Sequence, residues 1–343
     1  MRVVARIIGP AAGAAALLAA TSAGAADLVV NAFGGIWEKG FRDCYVKEFE
    51  AKTGKTVDVV IGNPIQLMNQ VEANKAKPPI DVIVNSIDGA YDAIKRGLVD
   101  PFDADKLPNL KDINPDFVKA GRGYGTILNY GAMGLAYNKK TVKNPPKDWK
   151  SFVDGTIKGE WRAAIPSINY LSTYLTTLWM YAHVYGGGIN DIGPGIEAIK
   201  KMKASGNLVF WSDVNAPLNL LKSGEIDISM YWDGRTWAYA DAGNPDIAYI
   251  NPKPGAVINP TLIQKVKNGS PLGYQFIDVA LQPGPQACFG NLLQYGMSNQ
   301  KVTFDAKVAP RITKFDEILW PPFEESLPHT AGWIERWNKE IGG

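Results

Sequence analysis

Histidine and cysteine are both scarce in this chain of 343 residues, which contains two of each. His183 and His329 lie far apart in the sequence, and neither belongs to a recognisable Ser-His-Asp or Cys-His arrangement. The nucleophile elbow GxSxG and the phosphate-binding loop GxxxxGK[ST] are also absent. So few nitrogen and sulfur ligands give no support for a zinc site, and no metal or cofactor is predicted. The sequence therefore favours a protein that is not an enzyme.

An excess of one charge is missing as well, since 36 Lys and Arg residues face 34 Asp and Glu residues. The N-terminal segment has the layout of a secretory signal peptide. Arg2 and Arg6 are followed by the apolar stretch Ile7–Ala20, and small residues place the cleavage site near Ala25 or Ala26. Removing this segment leaves 34 basic and 34 acidic residues. A neutral chain argues against nucleic acid and against an anionic membrane surface as partners. An uncleaved anchor helix is the alternative for this segment, although its apolar part is short for a membrane span.

The remaining chain is long enough for two domains and alternates between predicted strands and helices. The strand Leu28–Ala32 precedes an amphipathic helix, Trp37–Lys52, which Gly54 ends, and the strand Thr56–Ile61 follows. Further strands are predicted at Asp81–Val84, Gly134–Tyr137, Arg162–Ile165 and Ile226–Tyr231. Alternation of this kind predicts an α/β fold with parallel strands.

Several short motifs occur in a distinctive order along this α/β pattern. They include Leu28–Gly35 (LVVNAFGG), Phe49–Lys55 (FEAKTGK), Gly134–Asn138 (GLAYN), Pro146–Trp149 (PKDW), Ser223–Ile228 (SGEIDI) and Pro252–Gly255 (PKPG). In order and spacing they resemble the bacterial periplasmic solute-binding proteins, specifically the family around the spermidine/putrescine-binding proteins.

The resemblance implies a periplasmic-binding-protein-like fold of type II, in which two α/β lobes enclose a ligand cleft and close by hinge motion. The N-lobe is expected at residues 27–130 plus 251–299, and the C-lobe at residues 131–250 plus 300–343. The implied function is capture of a small-molecule solute in the periplasm by a monomer, followed by delivery to the membrane permease of an ABC importer.

The two cysteines, Cys44 and Cys288, form an even pair in a chain predicted to be exported. Such a pair suggests one disulfide, and two separate buried thiols are the alternative. The resemblance places both cysteines in the N-lobe, which favours the disulfide.

Candidate ligand residues follow from the rule that ligands of open α/β sheets lie beyond the carboxyl ends of the strands. The candidates after the first, third and fifth predicted strands are Trp37, Asn85, Ser86, Asp88, Ser167, Asn169 and Tyr170. Tyr130 is a further candidate, shortly before the strand Gly134–Tyr137, which is expected to cross between the lobes. Core packing is the alternative role for Trp37, and helix capping is the alternative for the small polar residues.

The densest cluster of candidates is Trp232-Asp233-Gly234-Arg235, directly after the strand Ile226–Tyr231. Trp232 could stack on a ligand cation, and Asp233 could pair with that cation. Arg235 could hold a carboxylate through two hydrogen bonds. A surface ion pair between Asp233 and Arg235 is the alternative.

One departure from the family bears on the ligand. Polyamine binders of this family carry an acidic residue after the strand by which the chain returns to the N-lobe. The corresponding stretch here, Val257–Leu262, contains no acidic residue. The sequence therefore predicts a small polar nitrogenous solute, either polyamine-like or ω-amino-acid-like. An enzyme and a sensory receptor subunit on the same two-lobed fold are the alternative functions.

Overall fold

The structure is a computed structural model that describes residues 26–170 and 172–342. The predicted signal peptide lies outside the described residues except for Ala26. No helix in the described part is long and apolar enough to span a bilayer. The strands are β1 (Leu28–Ala32), β2 (Val57–Ile61), β3 (Val82–Ser86), β4 (Thr126–Asn138), β5 (Ala163–Pro166), β6 (Leu208–Trp211), β7 (Ile228–Trp232), β8 (Ile247–Ile250), β9 (Ala256–Lys265), β10 (Gly296–Met297) and β11 (Ile318–Leu319).

Helices alternate with these strands along the chain. They are α1 (Ile36–Phe41), α2 (Lys47–Thr53), α3 (Pro64–Ala73), α4 (Ile87–Lys95), α5 (Pro115–Ala120), α6 (Trp149–Lys158), α7 (Met180–Val184), α8 (Gly193–Ala204), α9 (Ala216–Ser223), α10 (Asp233–Asp241), α11 (Leu272–Ala280), α12 (Pro283–Leu293), α13 (Phe323–Ser326) and α14 (Thr330–Glu340). A π-helical segment, Arg42–Val46, joins α1 to α2, and a second one, Tyr174–Trp179, precedes α7.

The sheet has two parallel ends joined by an antiparallel centre. Its strand order is β2-β1-β3-β9-β4-β7-β5-β6. At one end β1 is parallel to β2 and β3, and at the other β5 is parallel to β6 and β7. In the centre β9 is antiparallel to β3 and β4, and β4 is antiparallel to β7. We call the β2-β1-β3 end the first half and the β7-β5-β6 end the second half. The long strand β4 pairs with β9 through Met133 and with β7 from Met133 onward, so it carries the chain from one half to the other.

The predicted parallel strands are present at both ends, whereas the antiparallel centre differs from the expectation. Helical crossovers make consecutive strands parallel, and β3 and β4 do share one direction. The centre is antiparallel because β9, which comes much later in the chain, lies between them in the opposite direction. The sequence prediction also missed several elements, among them β6, β9, α5, α6 and α10. β6 is a four-residue edge strand in which Val209 is exposed, so its pattern does not alternate cleanly.

The apolar face predicted for the first long helix is the core of the first half. Phe41, Tyr45 and Phe49 are fully buried there. The Tyr45 ring stacks on Phe289 of α12 with centroids 5.0 Å apart, and the Phe49 ring meets Phe276 of α11 at 5.5 Å. Aromatic contacts at these distances add to the free energy of burial. The helix is therefore held against α11 and α12, which come more than 200 positions later in the chain.

A disulfide links Cys44 to Cys288, with Cα atoms 5.6 Å apart and 244 positions between the two residues. It joins the first long helix to α12, and no cysteine is left free. The prediction of one disulfide is confirmed, and the alternative of two separate thiols is wrong. The link closes a large loop, which restricts the unfolded chain.

Removing this link should lower the thermal stability of the protein. A disulfide typically contributes about 2–4 kcal/mol, so we expect the Cys44→Ala/Cys288→Ala variant to melt at least about 5 °C below the wild type. Differential scanning calorimetry with and without reductant measures the effect. Reductant should lower the melting temperature of the wild type and leave that of the double variant in place. Equal melting temperatures in all four samples would contradict the prediction.

The segment after α12 contacts both halves of the sheet. α14 packs against α8 in the second half. Before it, α13 packs against α4 in the first half, and the Trp320 ring lies parallel to Phe117 of α5 with centroids 6.3 Å apart. The C-terminal segment therefore runs across the junction of the two halves.

Candidate functional site

A cavity of about 120 Å³ lies where the two halves of the sheet meet. Its wall consists of Phe33, Trp37, Ser86, Asn129, Gly131, Tyr170, Ser172, Trp232, Arg235, Asn259, Pro260, Thr261 and Tyr295. Most of these residues lie at or just after the carboxyl ends of β1, β3, β5 and β7. Five others lie on β4 and β9, and Tyr295 lies between α12 and β10. Cavities for drug-sized ligands measure about 300–1,000 Å³, so this cavity suits a small, compact solute.

Arg235 is the only charged residue in the wall of this cavity. It stands in the first turn of α10, directly after β7. No carboxylate of the described residues lies within 4.0 Å of its guanidinium. Burial acts to lower the pKa of Arg235, but the phenol groups of Tyr295, Tyr231 and Tyr170 raise it above its usual value. The cavity therefore presents a permanent cation without a counter-charge.

Aromatic rings form the walls on both sides of the cavity. On the first half, the Trp37 ring meets Phe33 at 5.1 Å and stacks on Phe41 at 5.2 Å. On the second half, the Tyr170 ring meets Trp232 at 5.6 Å. Trp37 therefore contributes to the core and to the cavity at the same time. Trp232 lines the cavity, and its buried indole Nε1 has no hydrogen-bond partner among the described residues.

The floor of the cavity is neutral and polar. In the pairing of β3 with β9, Ser86 lies opposite Thr261, and in the pairing of β4 with β9, Asn129 lies opposite the same Thr261. Paired residues of neighbouring strands share a face of the sheet. Two positions along, Gly131 lies opposite Asn259. A Cβ atom at Gly131 would come within 2.9 Å of the Tyr295 ring, so glycine is what lets Tyr295 reach the cavity.

Asp233 does not line the cavity, although it precedes Arg235 by two positions. Its carboxylate is fully engaged by the protein. Oδ1 accepts hydrogen bonds from the backbone N–H groups of Ala132 (3.1 Å) and Gly234 (2.7 Å), and Oδ2 accepts one from Thr313 Oγ1 (2.8 Å). Asp233 therefore ties β4, α10 and the C-terminal segment together, and no ion pair with Arg235 forms.

Burial raises the pKa of Asp233 to about 7, although its hydrogen bonds act to lower it. Since the unfolded chain loses this proton near pH 4, Asp233 lowers the free energy of unfolding as the pH rises from about 4 to about 7. Asn can keep the same contacts, because its Nδ2 can donate to Thr313 Oγ1. We expect Asp233→Asn to be more stable relative to wild type at pH 8 than at pH 4, as measured by urea unfolding. A stability difference that does not change with pH would contradict this.

Asp88 also lies outside the cavity wall, and it connects the two halves. It stands in the first turn of α4, after β3. Its Oδ2 accepts hydrogen bonds from Tyr174 Oη (2.9 Å) and Ser172 Oγ (3.1 Å), both of which follow β5. Ser172 has a left-handed backbone (φ 55°), an uncommon conformation for a residue with a side chain. We call the contact of Asp88 with Ser172 and Tyr174 the cross-cleft latch.

The remaining sequence candidates are close to the cavity but do not line it. Tyr130 donates a long hydrogen bond of 3.4 Å to the carbonyl of Thr313. Ser167 Oγ accepts from the backbone N–H of Asn169 at 3.5 Å. Asn85 is buried, and its carboxamide has no hydrogen-bond partner among the described residues. The structure thus brings five of the predicted residues together in the wall: Trp37, Ser86, Tyr170, Trp232 and Arg235.

Eight wall residues were missing from the sequence prediction: Phe33, Asn129, Gly131, Ser172, Asn259, Pro260, Thr261 and Tyr295. Phe33 directly follows β1, and Ser172 lies two positions after the predicted site Tyr170, so a wider window around each strand end would have included them. No local signal marks Tyr295, which reaches the cavity because α12 is linked to the first long helix. Among the described residues, no group of three or more His, Cys, Asp or Glu side chains could hold a metal ion.

Comparison with known proteins gives a consistent family. The family model for bacterial extracellular solute-binding proteins matches residues 44–313. The spermidine/putrescine-binding periplasmic protein of Escherichia coli (strain K12) is 24% identical over 188 residues, which is 50% of this chain and 52% of that protein. The corresponding protein of Salmonella typhimurium is 24% identical over 191 residues, with the same coverage. The chain thus spans about half the length of the curated relatives it matches.

Solved structures share the fold over nearly the whole chain. An extracellular solute-binding protein from Bordetella parapertussis is 27% identical with a TM-score of 0.81, covering 92% of this chain and 98% of that chain. An ABC transporter substrate-binding protein from Bradyrhizobium japonicum is 19% identical with a TM-score of 0.78, covering 92% and 99%. These neighbours are binding proteins of the two-lobed type, which confirms the predicted fold class. The family and its neighbours are solute-binding proteins rather than enzymes, as predicted.

Proposed function

The chain belongs to the bacterial extracellular solute-binding family, and from this premise we propose that it is the periplasmic solute-binding component of an ABC importer. The solute enters the cavity between the two halves of the sheet, the halves close over it, and the closed protein delivers it to the membrane permease. The long strand β4 supports this movement, because it continues from one half into the other. For its two lobes we propose the bounds expected from the sequence, residues 27–130 plus 251–299 and residues 131–250 plus 300–343.

The solute carries a carboxylate, and Arg235 binds it. The observation behind this proposal is that Arg235 is the only charged residue in the cavity wall and has no carboxylate partner within 4.0 Å. Arg235 is half-buried. A cation that is partly removed from water without a partner is unfavourable, and a carboxylate supplies both charge and paired acceptors for the guanidinium fork. The free indole N–H of Trp232 supplies a third donor.

A polyamine is disfavoured by the same charges, although the curated relatives bind spermidine and putrescine. A polyamine would bring two or more cations into a wall that already contains Arg235 and contains no acid. Like charges in a closed, poorly hydrated site repel strongly. The stretch Val257–Leu262 supports this view, since Asn259, Pro260 and Thr261 line the cavity without supplying a carboxylate.

A thermal-shift panel on protein that has been unfolded and refolded to remove bound solute tests the proposal. The panel compares short-chain carboxylates with spermidine and putrescine, each with the wild type and with Arg235→Gln. We expect carboxylates to raise the melting temperature of the wild type by a few degrees at saturating concentration, and to lose this effect in Arg235→Gln. A shift with the polyamines alone would overturn the carboxylate proposal, and no shift with any small solute would overturn the binding function.

A further inference from the structure

The part of the floor that belongs to β3, β9 and β4 is a continuous row of neutral polar side chains. We define the polar row as Ser86, Thr261 and Asn129, which lie opposite one another on these three strands and all line the cavity. Arg235 lies on α10 of the second half, across the junction from the β3 end of this row. The cavity is thus cationic on one side and neutral but hydrogen-bonding on the other.

Asn129 is the member of the polar row that has a buried polar atom without a partner. Only 2% of its surface is exposed, and its Oδ1 has no hydrogen-bond partner among the described residues. A buried amide oxygen without a donor is rare in folded proteins and is unfavourable until a donor reaches it. A solute that donates a hydrogen bond to Asn129 would remove this penalty.

A β-bulge directs Asn129 into the cavity. The register between β4 and β9 shifts between Ile127 and Asn129, so Leu128 is an extra residue on β4. In a regular strand Ile127 and Asn129 would share one face, but their partners Leu262 and Thr261 are consecutive and face opposite sides. Bulges of this kind redirect side chains beside binding sites. The backbone of β4, rather than a choice of side-chain rotamer, therefore determines the face of the sheet on which Asn129 lies.

The charges around the polar row limit what it can bind. An ammonium group placed there would meet no carboxylate in the wall. Neither nearby acid lines the cavity. Both Asp233 oxygens accept hydrogen bonds from β4, α10 and Thr313, and Asp88 Oδ2 accepts from Ser172 and Tyr174, whereas Asp88 Oδ1 has no partner among the described residues. Aromatic faces attract an ammonium, but this attraction is weaker than the penalty for burying an unpaired charge. A hydroxyl or a carboxamide needs hydrogen bonds only, and the polar row supplies them.

We infer that the solute carries a carboxylate at one end and a neutral hydrogen-bonding group, a hydroxyl or a carboxamide, at the other. This inference rests on the proposed function, because it takes the carboxylate at Arg235 as the fixed end. The polar row then selects among carboxylates, and it selects against the ω-amino acids that the sequence alone leaves open.

Titration calorimetry with matched acids tests the inference. Each set has one chain length and four different ends, for example 4-hydroxybutanoate, succinamate, 4-aminobutanoate and butanoate, and sets of neighbouring lengths are run alongside. In the set that binds best, the hydroxyl or carboxamide acid should bind the wild type at least about tenfold more tightly than the ammonium and unsubstituted acids. Tightest binding of the ammonium acid would overturn the inference.

Two variants of Asn129 make the assignment specific. Asn129→Leu, of similar size, should bring the affinity ratio between the hydroxyl acid and butanoate close to one. Asn129→Asp places a carboxylate in the row and should shift the preference toward 4-aminobutanoate at least about tenfold. An unchanged ratio in Asn129→Leu would overturn the role of Asn129. Failure of the proposed function looks different, because then no acid binds, or binding persists in Arg235→Gln.

Discussion

Arg235→Ala should weaken binding of the carboxylate solute by about 30-fold to several thousand-fold. Truncating one member of a desolvated charge pair costs about 2–5 kcal/mol, and every 1.4 kcal/mol is tenfold in affinity. The loss is expected to be large because no other charged residue in the cavity wall can replace Arg235. Titration calorimetry with the acid that binds the wild type best gives the ratio of dissociation constants.

Two further variants separate the role of the guanidinium from a general loss of charge. Arg235→Lys keeps the cation but loses the planar fork, so its affinity should fall between those of the wild type and Arg235→Ala. Arg336→Ala removes a guanidinium that pairs with Glu340 at 2.9 Å on the surface of α14, and should bind like the wild type. Equal affinities of wild type and Arg235→Ala would show that the carboxylate binds elsewhere.

Tyr174→Phe should weaken solute binding about tenfold by destabilising the closed arrangement of the two halves. The variant removes one hydrogen bond to the Asp88 carboxylate, and hydrogen bonds to charged groups contribute about 1.5–3 kcal/mol. Neither Asp88 nor Tyr174 lines the cavity, so the effect acts through the population of the closed state. Stopped-flow binding should show faster release of the solute, because the closed state opens more readily.

Tyr181→Phe is the matched control for this prediction. Tyr181 is a fully buried tyrosine of α7 whose hydroxyl contacts only Met230 Sδ at 3.3 Å, within the second half. Removal of the Tyr181 hydroxyl should change the rate of solute release much less than Tyr174→Phe does. Small-angle scattering provides a second measurement, in which Tyr174→Phe with solute should show a larger radius of gyration than the wild type with solute. Identical radii and identical release rates would contradict a closing role for the cross-cleft latch.

The sequence alone was sufficient to predict the two parallel ends of the sheet and the cavity residues at the ends of their strands. All five predicted wall residues lie at or shortly after strand ends: Trp37, Ser86, Tyr170, Trp232 and Arg235. Local strand–helix alternation locates such ends, and parallel strands present them at a common edge. The motif order also predicted the family correctly, because it depends on spacing along the chain rather than on contacts between distant segments.

The rest of the site depends on pairing between distant strands. Asn129 reaches the cavity through a bulge that only the pairing of β4 with β9 defines. Asp88 and Asp233 were candidates because of their residue type. In the structure, Asp88 Oδ2 accepts a hydrogen bond from Tyr174, 86 positions away, and Asp233 Oδ2 accepts one from Thr313, 80 positions away. Tertiary contacts therefore decide which carboxylates remain free for a ligand, and the hydrophobic periodicity of the sequence does not predict these contacts.

The central claim is that the cavity takes a carboxylate through Arg235 and does not take a polyamine. The most direct measurement is mass spectrometry of the small molecules released when native, never-unfolded protein from a bacterial periplasm is denatured, with refolded protein as the blank. We predict an organic acid that carries a hydroxyl or carboxamide group, present with the wild type and absent with Arg235→Ala. Release of spermidine or putrescine from both proteins would contradict the claim.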